Sequence, residues 1–363
     1  MKKKKILLIS LTELCVGGVS KVLMTLVEEL HEEYSFDVVT LCDKPGYFDD
    51  AFTAYGGRIY RIPSFQYLEH KILYPLSFFQ IKKAITKILK ENEYDVIHCH
   101  SGWQDAACLA AAAHVGIPVR ISHGHGTYVW EGRNLAMRFY SWFTKRYILK
   151  YANVRLACSS IAGDTLFSGE PYENVLNPVD VALYADIERK SHKGIYLLQI
   201  GYFCKRKNQM FTLSLLDYLL AHGVDAHLSM IGYPSEQGYH EKMLSLVVQN
   251  HMEEHISFLP HDFDKCTAFA HADYCLLPSG SEGLPLVALE SQAAGVPCLM
   301  SRNISKDSDV GAGFFLPHDD LEKWATTITN GVEVDTTRLS NNLQKITTRA
   351  YADKIRSIYE QKL

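Results

Sequence analysis

Short apolar runs alternate with amphipathic helical patterns along this chain, and the series occurs twice, which restricts the fold to parallel sheets wound with crossover helices. Runs of strand character fall at 6–10, 36–41, 58–62, 96–100, 119–122 and 154–158. The rhythm restarts at 196–200, 226–231, 256–259, 274–277 and 298–300. Between the two series lies a polar stretch over 188–194, Glu-Arg-Lys-Ser-His-Lys-Gly. Two Rossmann-like α/β domains are therefore expected, at 1–185 and 186–338, with a last helical stretch over 339–363. The 363 residues, 47% of them hydrophobic, suffice for a core in each domain. In open sheets of this kind, ligands bind beyond the carboxyl ends of the strands.

A net charge of −4 excludes a globally basic nucleic-acid binder. The nine cysteines are scattered, form no C-x-x-C pair and total an odd number, so they read as reduced residues of a cytoplasmic protein. The lysines at 2–5 precede an apolar run of only 6–9, too brief for the apolar core of a secretion signal, and no segment is long enough to span a bilayer.

The densest chemical signal follows the run 272–277. Pro278-Ser279-Gly280-Ser281-Glu282-Gly283-Leu284-Pro285-Leu286-Val287-Ala288-Leu289-Glu290 sets two glutamates eight positions apart around a Gly-Leu-Pro turn and a helix start, with Pro285 expected at the first helical position. Glu282 falls in the strand-to-helix loop. The N–H groups of Leu286 and Val287 stand at a positive helix end, where a diphosphate is stabilised. Glu290, about a turn further in, has the reach for a hydroxyl pair beside that phosphate. The plainer alternative is a capping glutamate and an unrelated second one on an ordinary helix.

Two further loops have the same character. Gly17 and Gly18 open the helix after the first strand, where glycine backbone can approach a diphosphate or simply make a tight turn. G-x-G-x-x-G is missing, which disfavours an oxidoreductase. Lys205, Arg206 and Lys207 follow the strand ending near Gly201, a place for cations that neutralise a leaving diphosphate or for a solvated loop.

These segments resemble the retaining family-4 glycosyltransferases of the GT-B fold, whose signature is an E-x7-E element after a strand ending in Pro-Ser. The likeness runs on from Glu290 through Pro297. It includes the glycine loop before Lys21, the stretch Gly201-Tyr202-Phe203-Cys204-Lys205-Arg206-Lys207-Asn208, and Asn177-Pro178-Val179-Asp180 before the second domain. The resemblance is nearest to bacterial polysaccharide-assembly enzymes. It implies two parallel-sheet domains facing across a cleft, with the last helix returning to the first domain. It implies donor binding by the second domain: Glu282 and the N–H groups of Gly283, Leu284 and Leu286 on the sugar hydroxyls, Glu290 on the ribose, and Lys207 with Arg206 on the diphosphate. The expected donor is a nucleotide diphosphate sugar, UDP-sugar being favoured, with no cofactor and no metal. The acceptor would be a saccharide or lipid-linked saccharide. One departure stands out, because Tyr202 occupies the position where the family commonly has arginine.

His123 and His125 lie in Ser122-His123-Gly124-His125-Gly126-Thr127, whose His-Gly-Thr piece resembles the family's site loop, so His125 is the histidine expected to touch the transferred sugar. With His98 and His100 these form four histidines. Alternation sends Cys99 to the opposite face and no carboxylate completes a set, so no metal is expected there. Asp262-Phe263-Asp264 imitates a metal-binding Asp-x-Asp, but helix capping is the expected use.

From 133 to 151 the chain interleaves Arg138, Lys145, Arg146 and Lys150 with Phe139, Tyr140, Trp142, Phe143 and Tyr147. This suits either contact with the inner face of the membrane or a core helix with a solvated basic edge. The expected function is retaining transfer of a sugar, the enzyme supplying position and charge. A sugar-nucleotide epimerase of similar fold and a non-catalytic saccharide-binding relative are the alternatives.

Overall fold

The computed structural model describes residues 3–10, 12–63, 74–127 and 135–363; Lys2 and Arg133, named above, lie outside them. The chain forms two compact units, one of 1–178 with 348–363 and one of 179–347. The divisions fall at Pro178 and Thr347, where the sequence placed 185 and 338. Val179 pairs with Thr347 in an isolated parallel bridge, and this draws both the segment after Pro178 and the helix before Thr347 into the second unit.

In the first unit the elements run β1 (Lys4–Ser10), α1 (Gly18–Leu30), β2 (Tyr34–Thr40), α2 (Asp49–Ala54), β3 (Ile59–Arg61), α3 (Tyr74–Glu91), β4 (Val96–Cys99), α4 (Asp105–Val115), β5 (Val119–Gly124), α5 (Leu135–Tyr151), β6 (Val154–Ala157), α6 (Ser160–Phe167) and β7 (Glu173–Asn174). The strands form one parallel sheet in the order β3-β2-β1-β4-β5-β6-β7. Ile6 to Ser10 of β1 are all buried, as a strand covered on both faces requires. The order reverses between β1 and β4.

The second unit repeats the plan with α7 (Val181–Ala185), β8 (Ile195–Ile200), α8 (Gln209–Ala221), β9 (Ala226–Ile231), α9 (Tyr239–Gln249), β10 (Ile256–Leu259), α10 (Lys265–His271), β11 (Tyr274–Leu277), α11 (Leu286–Ala293), β12 (Cys298–Ser301), β13 (Gly313–Leu316), α12 (Leu321–Asn330) and α13 (Thr336–Leu343). Its parallel sheet reads β10-β9-β8-β11-β12-β13 and reverses between β8 and β11. The edge strands β7 and β13 were not legible in the sequence. β7 has only two residues, both exposed, and β13 sets two adjacent aromatics between a glycine and a leucine with no alternation.

The last helix, α14 (Thr348–Lys362), belongs to the first unit. Tyr351, Ala352, Ile355, Ile358 and Tyr359 fall on one face at helical spacing and join the core formed by β1, α1 and β2. Arg356 forks onto Glu33 with Nε–Oε2 at 2.7 Å and Nη2–Oε1 at 2.8 Å. The second core gathers Leu213, Leu216 and Leu219 of α8, Met243 and Val247 of α9, and Trp324 and Ile328 of α12 around β8 and β9.

Candidate donor site and histidine cluster

The loops leaving β8 and β11 flank the point where the second sheet reverses, which is where an open α/β sheet binds ligands. Gly201 follows β8 with φ +150, and a Cβ on Gly232 after β9 would stand 2.2 Å from the Gly201 carbonyl oxygen. Only glycine fits either position. The chain then makes a single turn over Lys205–Lys207 and reverses at Asn208, which adopts φ +56.

Main-chain and amide groups lock the two loops together. Asn208 Nδ2 donates to the Pro278 carbonyl at 3.3 Å, Gly280 N donates to the Arg206 carbonyl at 2.8 Å, and Gln199 Nε2 donates to the Lys207 carbonyl at 2.9 Å. Gln209 Nε2 holds the Tyr202 carbonyl at 2.8 Å. The backbone that carries the cations is thus fixed in part by Gln199 and Gln209, which the sequence reading passed over.

That fixation brings three of the expected site residues together. Lys207 Nζ lies 2.7 Å and Arg206 Nη1 2.8 Å from the same oxygen of Glu282, and Arg206 also donates to the Ser281 carbonyl at 3.3 Å. Burial alone raises the carboxyl of Glu282, but the charges of Lys207 and Arg206 outweigh it and hold the group below the usual glutamate value. Lys207 is 13% exposed and Arg206 46%. Lys205 turns away to Glu236, with Nζ–Oε1 at 3.1 Å and its N–H on Oε2 at 2.9 Å. The Tyr202 ring leans on Tyr233 with centroids 4.7 Å apart.

Pro285 is the residue before α11 rather than its first helical residue. Its ψ of 122 is extended, so the helix begins one position later, at Leu286. No side chain caps α11 and its first turn carries no acid, which leaves the N–H groups around Leu286 and Val287 as donors at a positive end. Gly283 and Leu284 complete the turn between Glu282 and that helix.

Glu290 sits on α11 at 0% exposure. Its Oε2 is 2.6 Å from Lys265 Nζ, and the buried Tyr184 hydroxyl donates to the same carboxylate. Neither partner was identified from the sequence. The available signal was that Lys265 opens the helix after Asp264, which caps α10 by accepting from Cys266 N at 3.3 Å and Thr267 N at 2.8 Å.

The remaining expected residues belong to the first unit. Gly17 precedes α1 with extended backbone (φ −143), and Gly18 is its first residue; no side chain caps that helix. His125 follows β5 with Nε2 2.8 Å from His100 Nδ1. His98 joins them with Nε2 3.3 Å from His123 Nδ1. Burial pushes His125 down to about 4 and drives the other three well below the ordinary histidine range.

Chemically, the second unit offers an ionised, nearly buried carboxylate that can accept hydroxyl hydrogen bonds. Beside it stand two cations on a rigid loop and a helix end suited to oxyanions. Residues 16–183 match the family described as Glycosyltransferase Family 4, and residues 194–333 match Glycosyl transferases group 1. The chain is 29% identical over 338 residues to the putative glycosyltransferase EpsF of Bacillus subtilis (strain 168), covering 86% of this chain and 84% of the relative. It is 21% identical over 342 residues, with the same coverage, to the UDP-Gal:alpha-D-GlcNAc-diphosphoundecaprenol alpha-1,3-galactosyltransferase of Escherichia coli. The structure of Anabaena Alr3699/HepE in complex with UDP superposes with a TM-score of 0.78 at 14% identity, covering 99% of this chain and 100% of that one.

Proposed function

The chain belongs to the family-4 glycosyltransferases of the GT-B fold, and from that premise we propose that it transfers a sugar, with retention, from a UDP-sugar to a saccharide or lipid-linked saccharide in bacterial surface polysaccharide assembly. The observation that carries this reading is the group Lys207–Glu282–Arg206 beside the uncapped start of α11. A diphosphate meets the two cations and the helix N–H groups, and Glu282, released from full pairing, accepts from the sugar hydroxyls. Glu290 takes the ribose hydroxyls, with Lys265 and Tyr184 fixing its carboxylate. The protein supplies position and charge where the leaving diphosphate develops its own. A divalent ion is not needed at the diphosphate, since two cations already face it.

The lipid-linked acceptor is supported by the E. coli relative, whose name specifies a diphosphoundecaprenol substrate, and by the surface of the first unit. On α5, Tyr140 and Ile148 are buried while Phe139 (64% exposed) and Trp142 (53%) face outward, with the Arg146 guanidinium 5.3 Å from the Trp142 ring. α3 packs against it through Phe78 and Phe143, centroids 5.2 Å apart, and presents Leu76 and Phe79 to the outside. Apolar rings beside basic groups suit an anionic membrane surface. No helix among the described residues is long and apolar enough to cross a membrane.

The test incubates the protein with a panel of nucleotide sugars, with and without isoprenoid-diphosphate-linked saccharides, and determines the anomeric configuration of any product. Transfer from a UDP-sugar with retained configuration supports the proposal. Inversion, isomerisation without acceptor, or binding without turnover overturns it.

A further inference from the structure

Two histidine pairs stand at neighbouring strands of the first unit. His98 and His100 are two apart on and just past β4, and His123 and His125 two apart on and just past β5, so each pair shares a face. β4 and β5 pair in parallel, which brings the two sets side by side: ring centroids of His98 and His100 are 4.2 Å apart, and those of His100 and His123 5.1 Å.

We infer that His98, His100 and His123 form a binding site for a divalent transition-metal ion of the zinc class. One potential ligand atom from each lies within 4.8 Å of the others. His98 Nε2 and His123 Nδ1 are 3.3 Å apart, long for a hydrogen bond. Two nitrogens each about 2.0–2.1 Å from a tetrahedral zinc are separated by about that same distance. The far sides of two rings are already oriented for ligation. His98 Nδ1 lies 2.8 Å from the Tyr359 hydroxyl; when Nδ1 carries the proton and donates to that oxygen, Nε2 is left as the lone pair. His100 Nδ1 is 2.8 Å from His125 Nε2, and its own Nε2 is buried with no hydrogen-bond partner. Burial favours the neutral form of all three, which is the form that binds metal. The carboxylate whose absence argued against a metal in the sequence is not required, because the neighbouring strand supplies the third imidazole and histidine-only sets hold zinc.

The ion would join the carboxyl ends of β4 and β5 to α14 through Tyr359, a structural role separate from the donor loops. The test uses the full, untagged chain, stripped with chelator and titrated with ZnCl2 and CoCl2. One ion bound per chain, a rise in unfolding temperature with zinc, and a visible cobalt band of tetrahedral nitrogen ligation are expected. Tyr359→Phe should weaken zinc binding roughly 10–100-fold while the chain stays folded, and His98→Gln should abolish it. If His98→Gln does not fold, the cobalt spectrum and Tyr359→Phe decide. Absence of binding at excess zinc overturns the proposal. So does binding that is lost in His255→Ala and unchanged in Tyr359→Phe, since it places the ion on exposed Asp225 with half-buried His227 and His255 instead.

Discussion

Lys207 Nζ lies 2.7 Å from Glu282 Oε1, and that pair is made between two loops leaving different strands of the sheet at its point of reversal. The contact assigns unequal roles to three adjacent cations. Lys207 is nearly buried on Glu282, Arg206 shares the same oxygen from a more exposed position, and Lys205 is committed to Glu236. Lys207→Ala should therefore lower turnover by about 10²–10³-fold, Arg206→Ala less, and Lys205→Ala little. Steady-state assays of the three variants check this ranking. Near-normal turnover in Lys207→Ala with loss in Arg206→Ala would reverse the assignment.

Glu290→Gln tests the ribose role. The amide keeps the shape but loses charge-assisted bonds worth about 1.5–3 kcal/mol, so UDP affinity should fall on the order of tenfold or more. Lys265, a third exposed, can turn to water, and the unfolding temperature should fall only modestly. Calorimetric titration with UDP gives the answer; unchanged affinity removes Glu290 from the donor site.

Asp105 predicts a pH dependence away from the donor loops. It is wholly buried at the start of α4, accepting from Ser101 N at 2.8 Å and the Ser122 hydroxyl at 2.7 Å. Burial raises its carboxyl to about 7, against 3.8 for the free group, even though both hydrogen bonds oppose the rise. The folded chain thus binds this proton more tightly than the unfolded chain. The resulting stabilisation is complete below the unfolded value and is lost as pH climbs through about 7, a change on the order of 4 kcal/mol. Urea melts across that window should show the decline in the native protein and a flatter profile in Asp105→Asn. Identical profiles would mean that the carboxylate finds more stabilisation than its burial suggests.

Much of this architecture was legible because its signals are local. Strand runs, the Gly-Leu-Pro turn and the Glu282-to-Glu290 spacing are all read within a dozen residues, and they located both sheets and the loops of the candidate donor site. The partners of those residues were not legible. Lys265 is 25 positions from Glu290, and Tyr359 is 261 from His98, so only the folded sheet and the returning helix α14 bring them into contact. Pro285 was displaced by one position because its fixed φ suits both the cap and the first helical residue, and only ψ distinguishes them.

If Lys207, Arg206 and the start of α11 neutralise the diphosphate, UDP affinity should be the same with magnesium, with manganese and in EDTA. A large gain with magnesium would revive Asp262 and Asp264, although Asp264 would first have to give up its bonds at the start of α10.

The outward rings of α5 carry the last expectation. Phe139 and Trp142 project from a helix whose other face is anchored by Tyr140 and Ile148, so replacing both with serine removes outward-facing apolar area without opening the core. Sedimentation with vesicles containing an anionic lipid should show binding by the native chain that weakens with salt, because each basic residue near such a surface contributes about 1 kcal/mol and the attraction is screened. The Phe139→Ser, Trp142→Ser double variant should bind several-fold more weakly, and neutral phosphatidylcholine vesicles should retain little of either protein. Equal retention of both proteins on anionic vesicles would assign these rings to another partner, and the basic groups alone would then account for membrane attraction.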